Sequence, residues 1–311
     1  MILEITEDGT HIYRDHETFV IKTFEKKRII PAKKIESINI TSNATISTAA
    51  IKLCLQNQIN LVISDKSGKP EGRFWFSTLG KNSEIRRKQY LNYDTELGLM
   101  ISNKIVKLKV AKQYSLAYEV WKNRKESREE INIYLNRIKE IYNKLKHKIF
   151  DKSTLLGMEG AAANAYFSIL RLAIPEKFGF KSRSQIAKDP INASLNYLYG
   201  MCYREIEATI ITTGLDPNSG FYHASQYGKP VLSFDLIEIF RADIDRLLLY
   251  LISKKKIKSK LFIKEESGLV ILSKEARKIM IEGYYTKLAK HIKYETFKLC
   301  FWIISELYEQ G

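Results

Sequence analysis

The chain has 311 residues, of which 45% are hydrophobic and 28% are charged. These proportions are typical of a globular protein of about two domains, at roughly 100–200 residues per domain, and they exclude a disulfide-stapled mini-protein and a largely disordered chain. Lys and Arg number 51 against 35 Asp and Glu, a formal net charge of +16. An excess of this size indicates a polyanionic partner, and nucleic acid is favoured over an anionic membrane surface.

The sequence predicts neither a membrane span nor a secretory signal. The longest apolar run, at 247–252, is far shorter than the roughly 20 residues that cross a bilayer. The N-terminus carries Glu4, Glu7 and Asp8 where a signal peptide has positive charge and then an apolar stretch. The three cysteines are far apart, which is typical of a reducing compartment. We therefore expect a cytoplasmic protein without a membrane segment.

The N-terminal part of the chain predicts a small antiparallel β domain. Short segments there mix β-branched with polar residues and are separated by turn residues. These segments lie at 1–6, 18–23, 28–31, 35–40, 59–63 and 73–76. Residues 47–58 have helical spacing, and 67–70 read as a turn.

Farther along the chain, glycine and proline become rare and long amphipathic stretches predict a larger all-α domain. The helical stretches lie at 103–148, 160–172, 190–213, 233–253 and 274–307. The sequence therefore predicts an α+β protein with an N-terminal β domain at 1–88 and a C-terminal helical domain at 89–311.

A turn-rich loop presents one histidine between two of these helices. The segment 215–223, LDPNSGFYH, places a proline and a glycine before His223, and both residues favour a sharp bend. The next helix has Ser233 as a candidate N-cap, followed by Asp235 and Glu238 at a spacing that puts both on one face. Two carboxylates on one face repel each other unless a cation lies beside them.

A third acid, Glu159, lies among glycines and alanines, which allow another backbone to approach closely. A carboxylate in packed surroundings needs a partner. Together with His223 and Glu238, and with Asp235 nearby, Glu159 would form a site of one imidazole and two or three carboxylates. Such a site suits Mg²⁺ or Mn²⁺ better than zinc.

Each of these residues also has a purely structural interpretation. Asp235 is a favourable charge near a helix N-terminus, and Glu238 could pair with Arg241 at i+3. Glu159 could cap a helix. Spacing alone leaves the metal site and these structural roles open.

Four segments together resemble the CRISPR-associated integrase family of spacer acquisition, the universal "Cas one" proteins. They are GMEG around Glu159, PINASLNYLYG at 190–200, the LDPNSGFYH loop, and SFDLIEIFR at 233–241. Their order and spacing fit the family along the whole chain, from the N-terminal strands to the segment LSKEARKIMIEGYY that starts at 272.

The resemblance implies the metal ligands one by one. The family's first-motif glutamate, its loop histidine and the acid of its last helix fall on Glu159, His223 and Glu238, with Asp235 as the adjacent carboxylate. The last ligand is Asp in some members and Glu here, so whether Asp235 or Glu238 contacts the metal stays open. Ala242 stands where members often carry proline.

The resemblance also implies an assembly and a reaction. It implies a homodimer through the β domains, and two such dimers would bind a small ferredoxin-like "Cas two" dimer in a heterohexamer. With Mg²⁺ or Mn²⁺, the assembly would join the 3′-hydroxyl ends of short protospacer duplexes to the CRISPR repeat beside its leader, without a covalent enzyme intermediate. With water as the nucleophile, the same site would act as a metal-dependent DNA endonuclease.

Runs of basic residues are the candidate DNA contacts. A solvated surface is an equally good interpretation of any such run. The candidates are Arg86, Arg87, Lys254, Lys255, Lys256 and Lys258.

Two other classes of function compete with an integrase. A non-catalytic DNA-binding scaffold explains the positive charge but not the acids and histidine beside sharp turns. A small-molecule metallohydrolase explains those residues but not the charge.

Overall fold

The computed structural model describes residues 1–65, 68, 70–74, 82–223 and 229–309. The chain divides into two compact units, Met1–Gly80 and Lys81–Gly311. The boundary predicted at residue 88 lies inside helix α2 (Ser83–Leu91), which belongs to the second unit. None of the helices in these ranges combines the length and the apolar character that a membrane crossing requires.

The first unit contains two four-stranded sheets and the helix α1, Thr48–Gln56. The strands are β1 Ile2–Ile5, β2 His11–Asp15, β3 Thr18–Lys22, β4 Lys27–Pro31, β5 Ser37–Ile40, β6 Thr45–Ile46, β7 Asn60–Ser64 and β8 Pro70–Phe74. One sheet has the order β1-β5-β7-β8 and the other β4-β3-β2-β6. The side chains of Phe19, Ile38 and Leu53 are fully buried in the core of this unit.

The strand directions differ in part from the antiparallel arrangement that the sequence predicts. Strands β2, β3 and β4 form an antiparallel meander, but β1, β5 and β7 pair in parallel. Parallel neighbours need a crossover connection. The meander connects β1 to β5, and α1 lies between β5 and β7. Trp75 and Phe76 of the last predicted strand, and Ser67 and Lys69 of the predicted turn, lie outside the described residues.

The second unit is built from helices, with a short hairpin between two of them. The helices are α2, α3 Glu96–Asn123, α4 Arg128–His147, α5 Lys152–Ala173, α6 Pro190–Thr213, α7 Val231–Ser253, α8 Lys274–Lys287 and α9 Ala289–Glu309. Strands β9 Phe262–Lys264 and β10 Val270–Leu272 form the antiparallel hairpin between α7 and α8. The predicted α+β class is confirmed, and the hairpin adds to the helical domain that the sequence predicts.

The predicted helix boundaries agree with the structure at both ends of α6 but not at the start of α5. The helix predicted at 190–213 coincides with α6, which has Pro190 in its first turn and the left-handed Gly214 after its end. Helix α5 begins before the predicted residue 160, because Asp151 caps it by accepting a hydrogen bond from Thr154 N. The stretches predicted at 103–148 and 274–307 are each broken into two helices.

Helix α7 packs against two long helices of the second unit. It contacts α3 and α6, and α5 packs on α3. Most of its side chains are buried, including four acids. These are Asp235, Glu238, Asp243 and Asp245. A buried carboxylate is costly without hydrogen-bond or charge partners, so each acid must find one on a neighbouring element.

Candidate metal centre

The carboxylate of Asp235 holds the loop that ends at His223. Its Oδ2 accepts hydrogen bonds from the amides of Phe221 and Tyr222 at 2.7 and 2.9 Å, and its Oδ1 accepts one from the amide of His223 at 3.0 Å. The Nδ1–H of the His223 ring donates to the same Oδ1 at 2.7 Å. Because Asp235 is fully buried, these four donors replace its hydration. With Nδ1 engaged, Nε2 is the ring nitrogen that can bind a ligand.

Helix α7 begins earlier than the sequence predicts. It starts at Val231, so Ser233 lies inside the helix and the prediction that Ser233 is the N-cap is wrong. Ser233 is fully buried, and its Oγ has no hydrogen-bond partner among the residues described. Asp235 consequently lies beyond the first turn, where its carboxylate faces the His223 loop.

Gly220 allows the loop to approach Asp235. A Cβ at this position would lie 2.6 Å from Asp235 Oδ2 and 2.6 Å from Val231 Cγ1. At Gly157 and Gly160, beside Glu159, a Cβ would meet nothing within 4 Å. The two glycines beside Glu159 therefore do not serve the close approach of backbone that the sequence predicts there, whereas Gly220 is required for the close packing of the His223 loop on α7.

Helix α2 supports the same loop through Gln89, which sequence analysis missed. Gln89 is fully buried. Its Nε2 donates to the carbonyls of Asp216 and Ser219 at 2.9 and 2.5 Å, and its Oε1 accepts from the amide of Asp216 at 2.8 Å. Tyr90 Oη donates to Asp216 Oδ2. A lone glutamine on an amphipathic helix gives no sequence signal for such a role.

The ammonium group of Lys109, on α3, lies between Glu159 and Glu238. Its Nζ donates to Glu159 Oε1 and to Glu238 Oε2, and the side chain is only 5% exposed. The second oxygen of Glu238, Oε1, pairs with Arg241 Nε at 2.8 Å, as the i+3 spacing suggested. Glu159 lies well inside α5, so it does not cap that helix.

Neighbouring charges shift the pKa values of Glu238 and His223. Burial alone would raise the pKa of Glu238, but the charges of Arg241 and Lys109 outweigh burial and lower it to about 2. Burial alone would lower the pKa of His223. The hydrogen bond and charge of Asp235, with the charges of Glu238 and Glu159, outweigh burial there and raise it. The lowered pKa of Glu238 reflects the positive charges beside it, and the raised pKa of His223 reflects the negative charges beside it.

The donor set fits a hard divalent cation. Two carboxylates and one imidazole are ligands that Mg²⁺ and Mn²⁺ accept, and Lys109 demonstrates that a cation is stable between the carboxylates. Across the described ranges, no three His, Cys, Asp or Glu side chains are grouped closely enough to hold a metal ion in the present geometry. The ammonium of Lys109 contacts both carboxylates in this geometry.

A cavity of about 220 Å³ lies beside the acidic pair and is lined by residues of α3, α5 and α7. Gln113, one turn after Lys109 on α3, is buried on its wall, and its Oε1 has no hydrogen-bond partner within the described part of the chain. Asp245 lies on the same wall and accepts hydrogen bonds from Tyr166 at 2.5 Å and Tyr199 at 2.6 Å. Complete burial raises the pKa of Asp245 to about 6, despite these two donors.

The basic runs lie away from the acidic pair or have other partners. Lys254 follows the last residue of α7, 16 residues after Glu238 (254 − 238), which is about 24 Å along the helix axis. Lys255, Lys256 and Lys258 are exposed next to it. Lysines at this end also stabilise the helix dipole.

The two arginines at the predicted domain boundary differ from each other. The guanidinium Nε of Arg86 donates to the carbonyl of Gly214 at 3.2 Å, so this side chain has a structural partner at the end of α6. Arg87 is exposed. Of the two, Arg87 is the one whose side chain faces solvent.

Comparison with known proteins decides the family. Residues 3–286 match the family model described as CRISPR associated protein Cas1. The chain belongs to the Cas1 family. A relative from Archaeoglobus fulgidus, named CRISPR-associated endonuclease Cas1 1, is 30% identical to it, with 96% of this chain and 92% of the relative covered.

Two solved structures share the fold of this Cas1-family chain. A casposase bound to integration product has a TM-score of 0.82 at 22% identity, covering 98% of this chain and 91% of that one. A Cas6-RT-Cas1–Cas2 complex has a TM-score of 0.83 at 23% identity, covering 100% of this chain and 35% of that one. At these identities the similarity establishes the Cas1 fold alone.

The bonds of Asp235 predict a large effect of its removal. Asp235→Ala leaves three buried amides and the His223 ring without their acceptor, so we expect the free energy of unfolding to fall by about 3 kcal/mol. Asp243→Ala is the matched control, because its partners Lys112 and Arg246 are partly exposed and regain water. Chemical denaturation of both variants measures the difference. Equal losses would contradict the role assigned to Asp235.

Proposed function

We propose that this protein is the metal-dependent DNA endonuclease and integrase of CRISPR adaptation. It joins the 3′-hydroxyl ends of short DNA duplexes to the CRISPR repeat by transesterification. The observation that carries this proposal is the arrangement of Glu159 and Glu238 around one cation, together with a histidine whose ring is fixed by a buried carboxylate. The endonuclease name of the Archaeoglobus relative and the integration product bound by the casposase support it.

Glu159, Glu238 and Nε2 of His223 are the proposed ligands of Mg²⁺ or Mn²⁺. Asp235 is a positioning residue, because protein donors already engage both of its oxygens. Glu238 is a better ligand than Asp235, since its partners Lys109 and Arg241 are side chains that can move. Of the two acids of α7 between which the sequence leaves the choice open, Glu238 is therefore the proposed ligand.

The reaction exchanges one phosphodiester for another. The 3′-oxygen of the incoming duplex forms a bond to the phosphorus of the repeat, and the 3′-oxygen of the repeat strand leaves. A divalent ion at this site would polarise the phosphate, lower the pKa of the attacking hydroxyl and stabilise the leaving oxygen. Asp235 keeps the imidazole of His223 in one orientation, and Glu159 and Glu238 supply the negative charge that holds the ion. No side chain forms a covalent bond to DNA.

The proposed assembly follows the family. The β unit would form a homodimer, the helical unit would carry catalysis, and two homodimers would bind a small Cas2 dimer in a heterohexamer. The fold relative solved in a complex with Cas2 supports such a partner. The formal charge of +16 supports binding of protospacer and repeat DNA through phosphates.

Integration by transesterification predicts a strict need for the 3′-hydroxyl. With Cas2, Mn²⁺ and a supercoiled plasmid that carries the repeat, labelled duplexes with 3′-hydroxyl ends should become joined to the plasmid. Duplexes with 3′-dideoxy ends should not, because the attacking oxygen is absent while every protein contact remains. Gel analysis of the labelled plasmid measures the joining.

Variants in the same assay distinguish loss of the proposed metal site from loss of the fold. Glu159→Gln should abolish joining while DNA binding persists, and Lys144→Gln on α4 should retain both activities. Equal joining of hydroxyl and dideoxy duplexes would contradict direct transesterification. Cleavage of the plasmid without joining of either duplex would contradict the integrase activity and support only an endonuclease.

Phosphate neutralisation by the lysines after α7 predicts a change in salt dependence. The logarithm of the DNA affinity should fall linearly with the logarithm of salt concentration, with a slope of about −0.9 per neutralised phosphate. Changing Lys254, Lys255 and Lys256 together to Gln should make that slope shallower by about two to three such units. Fluorescence anisotropy at several salt concentrations measures the slope.

The control for this experiment removes the same charge from exposed lysines of the β unit. Its substitutions are Lys27→Gln, Lys33→Gln and Lys34→Gln. A slope that changes equally in both triple variants would mean that only total charge matters. An unchanged slope in the triple variant of Lys254, Lys255 and Lys256 would mean that these lysines form a solvated surface and do not contact DNA.

A further inference from the structure

Lys109 has no role in the proposed reaction, although its ammonium contacts both glutamates that are proposed as metal ligands. Its ammonium is nearly buried and touches Glu159 Oε1 and Glu238 Oε2, the oxygens proposed to hold the metal ion. Other lysines of α3 with acidic partners are more exposed, such as Lys112 beside Asp243, which is 27% exposed. A cation at the convergence of two ligand carboxylates competes directly with any second cation.

The charges of the cluster balance while Lys109 is in place. Glu159 and Glu238 contribute two negative charges, and Lys109 and Arg241 contribute two positive ones. A divalent ion on the same oxygens would stand next to an ammonium, and like charges at contact distance in a buried site repel strongly. The ammonium and the ion therefore exclude each other from these oxygens.

The structure also contains a place to which the ammonium can move. The cavity of about 220 Å³ borders Lys109 itself and has room for several water molecules. Gln113 lies four residues later on the same face of α3, and its buried Oε1 is an acceptor without a hydrogen-bond partner in the described ranges. If the flexible side chain of Lys109 rotated, its ammonium would lose its bonds to the two carboxylates and could donate to Gln113 Oε1 instead.

We propose that Lys109 is an internal competitor of the divalent cation. Its ammonium holds Glu159 and Glu238 together in the metal-free protein and leaves them for the cavity beside Gln113 when the ion binds. This inference rests on the proposed metal site. Lys109 would have two effects. It would stabilise the metal-free helical unit while the two glutamates are buried, and it would lower the affinity of these glutamates for the metal ion.

Titration of the full chain with Mn²⁺ alone, by isothermal calorimetry, tests the competition. Lys109→Met removes the charge and keeps most of the apolar stem, so we expect its dissociation constant for Mn²⁺ to fall at least about tenfold below that of the unmodified chain. Lys112→Met, on the same helix, is the matched control and should stay within about twofold. Lys109→Arg keeps the charge and should not gain affinity.

Thermal melting provides a second readout that does not depend on calorimetry. In EDTA, Lys109→Met should melt below the unmodified chain, because the two glutamates then repel each other. Added Mn²⁺ should raise its melting temperature by more than that of the unmodified chain, since stabilisation grows with the ratio of ion concentration to dissociation constant. Lys109→Arg should melt in EDTA close to the unmodified chain.

Failure of this inference is distinguishable from failure of the proposed site. Glu159→Gln and His223→Ala should lose Mn²⁺ binding. If they do, and Lys109→Met binds Mn²⁺ no more tightly than the unmodified chain, the competition is contradicted and the site stands. If Lys109→Arg gains as much affinity as Lys109→Met, charge is not the cause. If Mn²⁺ binding is unaffected by Glu159→Gln and His223→Ala, both the site and the inference are contradicted.

Discussion

The burial of acids on helix α7 is the constraint on which the helical unit depends. Four carboxylates of this helix lie in the interior, and each has partners on the surrounding chain: Asp235 on the His223 loop, Glu238 on Lys109 and Arg241, Asp243 on Lys112 and Arg246, and Asp245 on Tyr166 and Tyr199. Burying one carboxylate without such partners costs several kcal/mol. Four buried acids without partners would therefore cost roughly as much as the whole free energy of unfolding of a domain. The acids thereby fix the positions of α3, α5 and α6 around α7.

Two of these buried acids, Asp235 and Glu238, also belong to the proposed metal site. Asp235 uses up its hydrogen-bonding capacity on the loop and the Nδ1 of His223, so it serves by orienting the imidazole. Glu238 and Glu159 come from different helices and share a single ammonium, an arrangement that is stable only while positive charge lies between them. In the metal-free chain, the ammonium of Lys109 supplies that positive charge.

Sequence reasoning predicted the parts of the proposed site that have local signals. The bend before His223 follows from proline and glycine, and the i+3 spacing of Asp235 and Glu238 follows from helix periodicity. Lys109 had no such signal, because it is one of 51 basic residues and meets its partners 50 and 129 positions away in sequence. Gln89 was missed for the same reason. Parallel strand pairing was missed because alternation of side chains does not encode which strands become neighbours.

Glu159, Glu238 and His223 are proposed to form one divalent-metal site from which Lys109 is displaced. Anomalous diffraction at the manganese edge, from crystals of the full chain grown with Mn²⁺, shows which side chains bind the ion. We expect one anomalous peak, about 2.0–2.3 Å from an oxygen of each glutamate and from Nε2 of the histidine, with the lysine side chain turned toward Gln113. A peak that is bound by Asp235 instead, or a lysine still bridging both glutamates beside bound manganese, would contradict this proposal.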